Sequence, residues 1–331
     1  MSINFLHYLY DVKAFLPDRE EYYSSLLLEK DFLANGPQIY SLLNQQEMFE
    51  QIPMFFQKAI KEKFKESYFQ NLFIKNQLKK IFKILENNSI DVIPLKGVFF
   101  AERYFGHLGA RPTSDIDLLI KPQDLNKGIK CVKILGFTIE EEPKKGHFHC
   151  SFSKTLPGSE IPLTVELHWD LLQEKTSTFK VEEFWTEAKD VEPYHHVKRL
   201  SDYHTFYMIC LHGWRHNMDS LKYYLDIIQM IYKVRHKLDY KRLVDDAARH
   251  KTLKRITRTL TIVYQECPFV EEIKPFPYKR SSRYLEYDAK KRDGIKNYKR
   301  YVDFIDYQFL SYDSVGYKFR ELVRWIKTNN I

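Results

Sequence analysis

The chain has 331 residues and carries 52 Lys and Arg against 44 Asp and Glu, a formal net charge of +8. With 44% hydrophobic and 29% charged residues it can pack a core, which excludes a disordered or fibrous chain. The basic excess suits an anionic ligand such as a nucleotide or a phosphorylated substrate, and equally a solvated basic surface.

The first 88 residues read as helical. One segment opens at Asp18-Arg19-Glu20 and stops at Asn35-Gly36-Pro37. After Pro53 a pattern containing Phe56, Ile60, Phe64, Phe73, Leu78, Phe82 and Leu85 follows the helical period to Asn88, with Lys and Glu on its other face. The texture changes at Ile90. Residues 91–95 form a short strand that enters a turn at Lys96-Gly97. A helix over 98–105 ends near Gly106, and Asp115-Ile116-Asp117-Leu118-Leu119-Ile120 is a clear strand. Pro122 suits the first turn of a helix that runs to Gly136. Residues 137–140, 147–153 and 163–169 are three further strands. From Ser201 the helical period returns over 202–217, 219–236 and 239–250, each near a Ser or Asp able to cap it, and another helix follows Leu253. Residues 278–300 are basic and tyrosine-rich, and 301–327 are helical with a break near Ser314. The pattern predicts an α+β fold. A small mixed β-sheet core over 89–200 is flanked by an N-terminal helical region, 1–88, and a C-terminal helical region, 201–331.

Cys131, Cys150, Cys210 and Cys267 form no CxxC pair, which argues against a zinc knuckle and for reduced thiols. The N-terminus lacks the basic region and small-residue cleavage site of a secretory signal. No apolar run approaches the ~18 residues of a membrane span. A cytoplasmic protein with no membrane association is expected.

The chemistry concentrates around Asp115. Residues i and i+2 of a strand share a face, so Asp115 and Asp117 present two carboxylates together while Ile116 and Leu118 turn away. Two adjacent carboxylates repel unless a cation lies between them, and Mg²⁺ is held by carboxylates together with substrate phosphates. Glu166 sits on a second apolar strand between Val165 and Leu167, and an acidic residue there wants a partner. Shared metal with Asp115 and Asp117 would supply one. Lys96-Gly97 stands at a strand-to-helix turn where Gly permits close backbone approach, the following helix can receive phosphate and Lys96 adds a point charge. Arg111 and Ser114 precede the acidic strand; the guanidinium could fork onto phosphate or tie the loop to a nearby carboxylate. His168 faces the same way as Glu166 and suits support of the site or acid–base work, with Asp226 available to orient an imidazole. His147 with His149 and His212 with His216 have spacings that suit metal, but the helix pair lacks the glutamate of an HExxH motif, and hydrogen bonding is its expected role.

Leu95-Lys96-Gly97, then Arg111-Pro112-Thr113-Ser114 leading into the acidic strand, then Val165-Glu166-Leu167-His168-Trp169, then the helical block LHGWRHNMDSLKYYLDI over 211–227, resemble a largely uncharacterised bacterial nucleotidyltransferase family of the polymerase-β-like superfamily. The resemblance covers roughly residues 70–235. It implies a small mixed sheet whose three carboxylates, Asp115, Asp117 and Glu166, bind Mg²⁺ (or Mn²⁺) while an acceptor attacks the α-phosphorus of an NTP. Lys96-Gly97 stands where the superfamily usually has Gly-Gly or Gly-Ser, with a longer gap to the acidic strand.

Three functions are therefore weighed. The first is nucleotidyl transfer from an NTP to a small molecule or peptide. The second keeps the site with a nucleotide-sugar donor and a phosphorylated peptide acceptor, since proteins resembling this family occur beside modified-peptide (lasso peptide-like) biosynthesis genes. The third is a non-catalytic nucleotide-binding or antitoxin-type partner, against which the three intact carboxylates argue. The expected partners are a nucleotide donor and an anionic or phosphorylated acceptor; no RNA-binding motif makes nucleic acid one of them. The basic segment 278–300 is expected near the rim of the acceptor cleft.

Overall fold

The computed structural model describes residues 2–11, 14–155, 162–281, 283–291 and 297–328. Arg292, part of the basic segment 278–300, lies outside them. Five strands make one sheet: β1 (Val92–Pro94), β2 (Asp115–Ile120), β3 (Thr138–Glu141), β4 (His149–Lys154) and β5 (Leu163–His168). Their spatial order is β1-β2-β5-β4-β3. The central pair, β2 and β5, is parallel, and the remaining pairs are antiparallel. Each strand falls on a segment expected to be one, and helices flank the sheet, so the fold is α+β as the pattern predicts.

Side-chain alternation divides the work between the two faces of the sheet. Ile116, Leu118, Ile120, Cys150, Phe152, Val165 and Leu167 are buried with Ile74, Leu78, Phe82, Leu85, Cys131 and Val132. The latter come from the helices Met54–Asn87 and Leu125–Ile134. The long helix has no interior Gly or Pro, and its apolar stripe keeps it seated on the sheet. The opposite face carries Asp115, Asp117, Glu166, His168 and His149.

That face looks toward the first two of the C-terminal helices Asp202–Arg215, Leu221–Val234, Tyr240–Arg249 and Leu253–Glu266. Ser201, Ser220 and Asp239 cap the first three by accepting from backbone N–H groups of the first turn. Gly213 is required by packing: a Cβ there would lie 2.7 Å from Met218 Sδ and 3.3 Å from Ile227 Cδ1. The first two of these helices can thus approach closely. Their core is continuous with the N-terminal helices, since Phe5, Phe32, Leu42 and Phe56 are buried in the same cluster as Tyr207, Leu225, Ile228 and Leu260.

One feature lies outside the sequence pattern. A ribbon pairs Lys189–Asp190 with Lys198–Arg199, and Val197 bridges to Val92 at the sheet edge. Strands of two residues are too short to show alternation. Among the described residues no helix is long and apolar enough to cross a membrane.

Candidate active site

The site is built from the turn after β1. Gly97 has φ +73° and ψ −138°, a backbone state open chiefly to glycine. A Cβ there would approach Thr113 Cγ2 to 3.2 Å, so the turn lies hard against the entrance to β2. From it Lys96 crosses to the acidic strand. Its Nζ is 2.6 Å from Asp117 Oδ2 and 3.3 Å from His212 Nε2.

The loop leading into β2 is clamped from both sides. Gln70 and Asn71 of the long helix donate to the carbonyls of Thr113, Leu108 and Arg111. Arg111 forks onto Asp226 through bonds of 2.8 and 2.7 Å, with both side chains buried. Gln38 Nε2 adds a 3.3 Å contact to the same carboxylate. Arg111 therefore ties the loop down, the second of its two expected roles, and the phosphate fork is not the contact its guanidinium makes. Asp226 is likewise engaged by Arg111, and among the described residues it contacts no imidazole. A planar guanidinium and a carboxylate match bidentately, and in a dry site that pairing satisfies both. Ser114 is exposed beside the site, with Oγ 3.4 Å from Asp115 Oδ1.

Strand register then completes the acidic cluster. Parallel pairing sets Asp117 opposite Glu166 and Leu119 opposite His168. One carboxylate oxygen each from Asp115, Asp117 and Glu166 lie within 4.8 Å of one another. Such a set of hard oxygen donors fits a Mg²⁺-class cation. The cluster already gathers positive charge: His168 Nε2 lies 3.2 Å from Asp117 Oδ1 and 3.0 Å from Glu166 Oε2, while Lys96 holds the other Asp117 oxygen. His149, stacked 5.2 Å from the His168 ring, forms with Glu166 and His168 a second group whose ligating atoms also lie within 4.8 Å.

Burial alone would raise the Asp117 carboxyl, but Lys96 and His168 outweigh it and hold the group well below the usual carboxylate range. Burial likewise works against the charged forms of Lys96 and His168, and the neighbouring carboxylates raise both above their ordinary values. His212 is driven the other way. Burial and then the Lys96 charge push it well below the usual imidazole range, so it is neutral and its Nε2 accepts from the ammonium.

A cavity of about 310 Å³ opens over this floor. Lys96, Asp115, Glu166, His168 and His149 line one side, and Met208, His212, Arg215, His216, Lys222 and Tyr223 line the helical side. Asp117 lies beneath, its side chain 2% exposed under Lys96 and His168. Gly97, Arg111 and Ser114 are near the floor without lining the cavity. Arg215 and Lys222 were not singled out from sequence. Their signal was two cations on helices whose other residues are mostly buried.

The described part of the basic segment does not enter the cavity wall. None of its described residues lines this cavity. Lys290 donates to the Asn217 carbonyl and Lys291 Nζ donates to the Asp219 carbonyl at 2.8 Å. These lysines pin the loop between the two helices that line the cavity, so this part of the segment lies beside the cavity wall.

No curated protein and no solved structure shows a significant match to the chain. The sequence model of an uncharacterised nucleotidyltransferase family matches residues 36–266, a span that contains the whole sheet, the carboxylate cluster and every residue lining the cavity. The chain belongs to this uncharacterised nucleotidyltransferase family.

Proposed function

We propose that the protein transfers a nucleotidyl group from an NTP to an acceptor, with Asp115, Asp117 and Glu166 holding Mg²⁺ (or Mn²⁺). The observation that carries this reading is the meeting of three carboxylates from two adjacent parallel strands on the floor of one cavity. An acceptor oxygen attacks the α-phosphorus, the P–O bond to pyrophosphate breaks, and the acceptor proton passes to water. When bound, the divalent cation supplies charge neutralisation at the phosphate oxygens and a template for in-line displacement.

The remaining work falls to the chain itself. Lys96 and His168 fix both oxygens of Asp117, and His168 also reaches Glu166, so these two carboxylates are oriented before substrate arrives. Leu95, Leu171, Met208 and Leu211 give the cavity apolar walls that strengthen each charge inside it.

A donor screen by mass spectrometry tests the reading. The full-length protein is incubated with each NTP, and separately with nucleotide-sugars, with and without Mg²⁺, with water or an added phosphopeptide as acceptor. The expected result is Mg²⁺-dependent release of pyrophosphate from an NTP, absent in Asp115→Asn. Sugar transfer with every NTP left intact would overturn it.

A further inference from the structure

We infer that Arg215 and Lys222 form an anion clamp on the helical wall of the cavity, which takes the polyphosphate of the donor opposite the three carboxylates; this rests on the nucleotide-donor reading. Arg215 ends the helix Asp202–Arg215 and Lys222 lies in the first turn of Leu221–Val234, so a short loop brings both to one wall.

Among the described residues neither side chain has a carboxylate at ion-pair distance. Arg215 Nη2 donates to the Leu171 carbonyl at 3.1 Å, and its guanidinium lies 4.1 Å over the Phe148 ring. Burial works against its charge, and attraction from Glu166 and Asp117 across the cavity does not make up the loss. Lys222 is more exposed to repulsion than to attraction. Asp226, four residues on, would be its natural partner on the helix. Both Asp226 oxygens are instead bonded to Arg111. The positive charge of Arg111, then burial, push the Lys222 ammonium down to about 8.

Two cations facing one cavity with no carboxylate at ion-pair distance, drawn to Asp115, Asp117 and Glu166 only across the cavity, fit a site where a ligand supplies the missing charge. The ligand must carry at least two negative charges to answer both. It must also tolerate the carboxylates across the cavity, which it can do through a shared divalent cation. A triphosphate has both properties: one edge can face Arg215 and Lys222 while the other meets the metal.

The probe is magnesium tripolyphosphate, titrated calorimetrically into the full-length protein. Wild type is expected to bind. Lys222→Met and Arg215→Met should each weaken binding by about tenfold or more, as loss of a charge-assisted contact does, and Lys222→Arg should restore most of it. Ligand-free Lys222→Met should melt no lower than wild type at pH 7, because the lost ammonium had no partner. Undiminished tripolyphosphate binding in the double variant overturns the clamp. So does a lowered melting temperature of Lys222→Met, which would make the lysine structural. Retained tripolyphosphate affinity with lost affinity for a phosphopeptide would move the clamp to the acceptor and also overturn it. The titration involves no turnover, so its failure is distinguishable from failure of the donor screen.

Discussion

Lys96 and Asp117 form an ion pair of 2.6 Å in which the carboxylate side chain is only 2% exposed and the lysine 17%. The protein thus places its own cation on an oxygen of the carboxylate that lies deepest in the candidate metal site. An ammonium and a divalent ion there compete for the same charge.

Replacing the lysine should reveal that competition. Lys96→Met leaves Asp117 buried with His168 as its remaining cationic neighbour, and breaking one side of a buried pair is expected to lower stability by about 3 kcal/mol. Added Mg²⁺ should then raise the melting temperature of the variant more than that of wild type. Scanning fluorimetry with and without MgCl₂ measures this. Equal shifts in the two proteins would mean that Lys96 and the metal do not share Asp117.

Removal of single carboxylates should separate chemistry from folding. Asp115→Asn and Asp117→Asn should each reduce Mg²⁺-dependent turnover by about 100-fold or more, since each removes an anionic ligand from the charge-neutralising site. Asp117→Asn should also melt lower, because Lys96 loses its buried partner, while Asp115 has no comparable ion pair among the described residues. Melting curves beside initial rates make the comparison, and full activity in either variant would remove the metal assignment.

Glu166→Gln should lower kcat more than it weakens nucleotide binding. The third carboxylate acts on the transition state if it helps position the cation that meets the acceptor. Its side chain is 27% exposed and has His168 at 3.0 Å, so a purely structural role would show instead as lost thermal stability with unchanged activity per folded molecule.

The Arg111–Asp226 pair should prove structural. Truncating Arg111 to Met leaves a buried carboxylate uncompensated and should cost about 3–5 kcal/mol. Asp226→Asn should be similar, and the double variant should be less destabilised than the sum. Urea denaturation of the four proteins provides the cycle. Additive losses would contradict the contact.

Asp170 supplies a pH signature outside the metal site. Burial raises its carboxyl to about 6, partly opposed by its bonds to the Leu171 and Leu172 amides. The folded state therefore holds this proton more tightly than the unfolded state, whose value lies near 3.9. Its contribution to stability is present below about 4, declines as pH rises toward about 6, and is absent above that. Asp170→Asn should remove this downward slope, so the stability gap between variant and wild type should widen in the variant's favour from pH 4 to pH 6.5. A gap that does not change across that range would refute the assignment.

Local pattern alone determined the strand that carries Asp115 and Asp117, because period-two alternation places both on one face whatever the strand packs against. It likewise located the helices, through apolar spacing and the caps Ser201 and Asp239, and marked Gly97 as the turn. Tertiary structure alone decided which acidic residues meet. Asp117 opposes Glu166 because β2 and β5 pair in parallel, a choice made by sheet topology rather than by either segment. It also decided Arg111, whose partner lies 115 residues away on a helix. The same long-range packing turned Arg215 and Lys222 toward the carboxylates and drew Lys290 and Lys291 into loop contacts. Charge and periodicity can report that a side chain is cationic or on a polar face; only the packed chain brings its counter-charge near or leaves it without one.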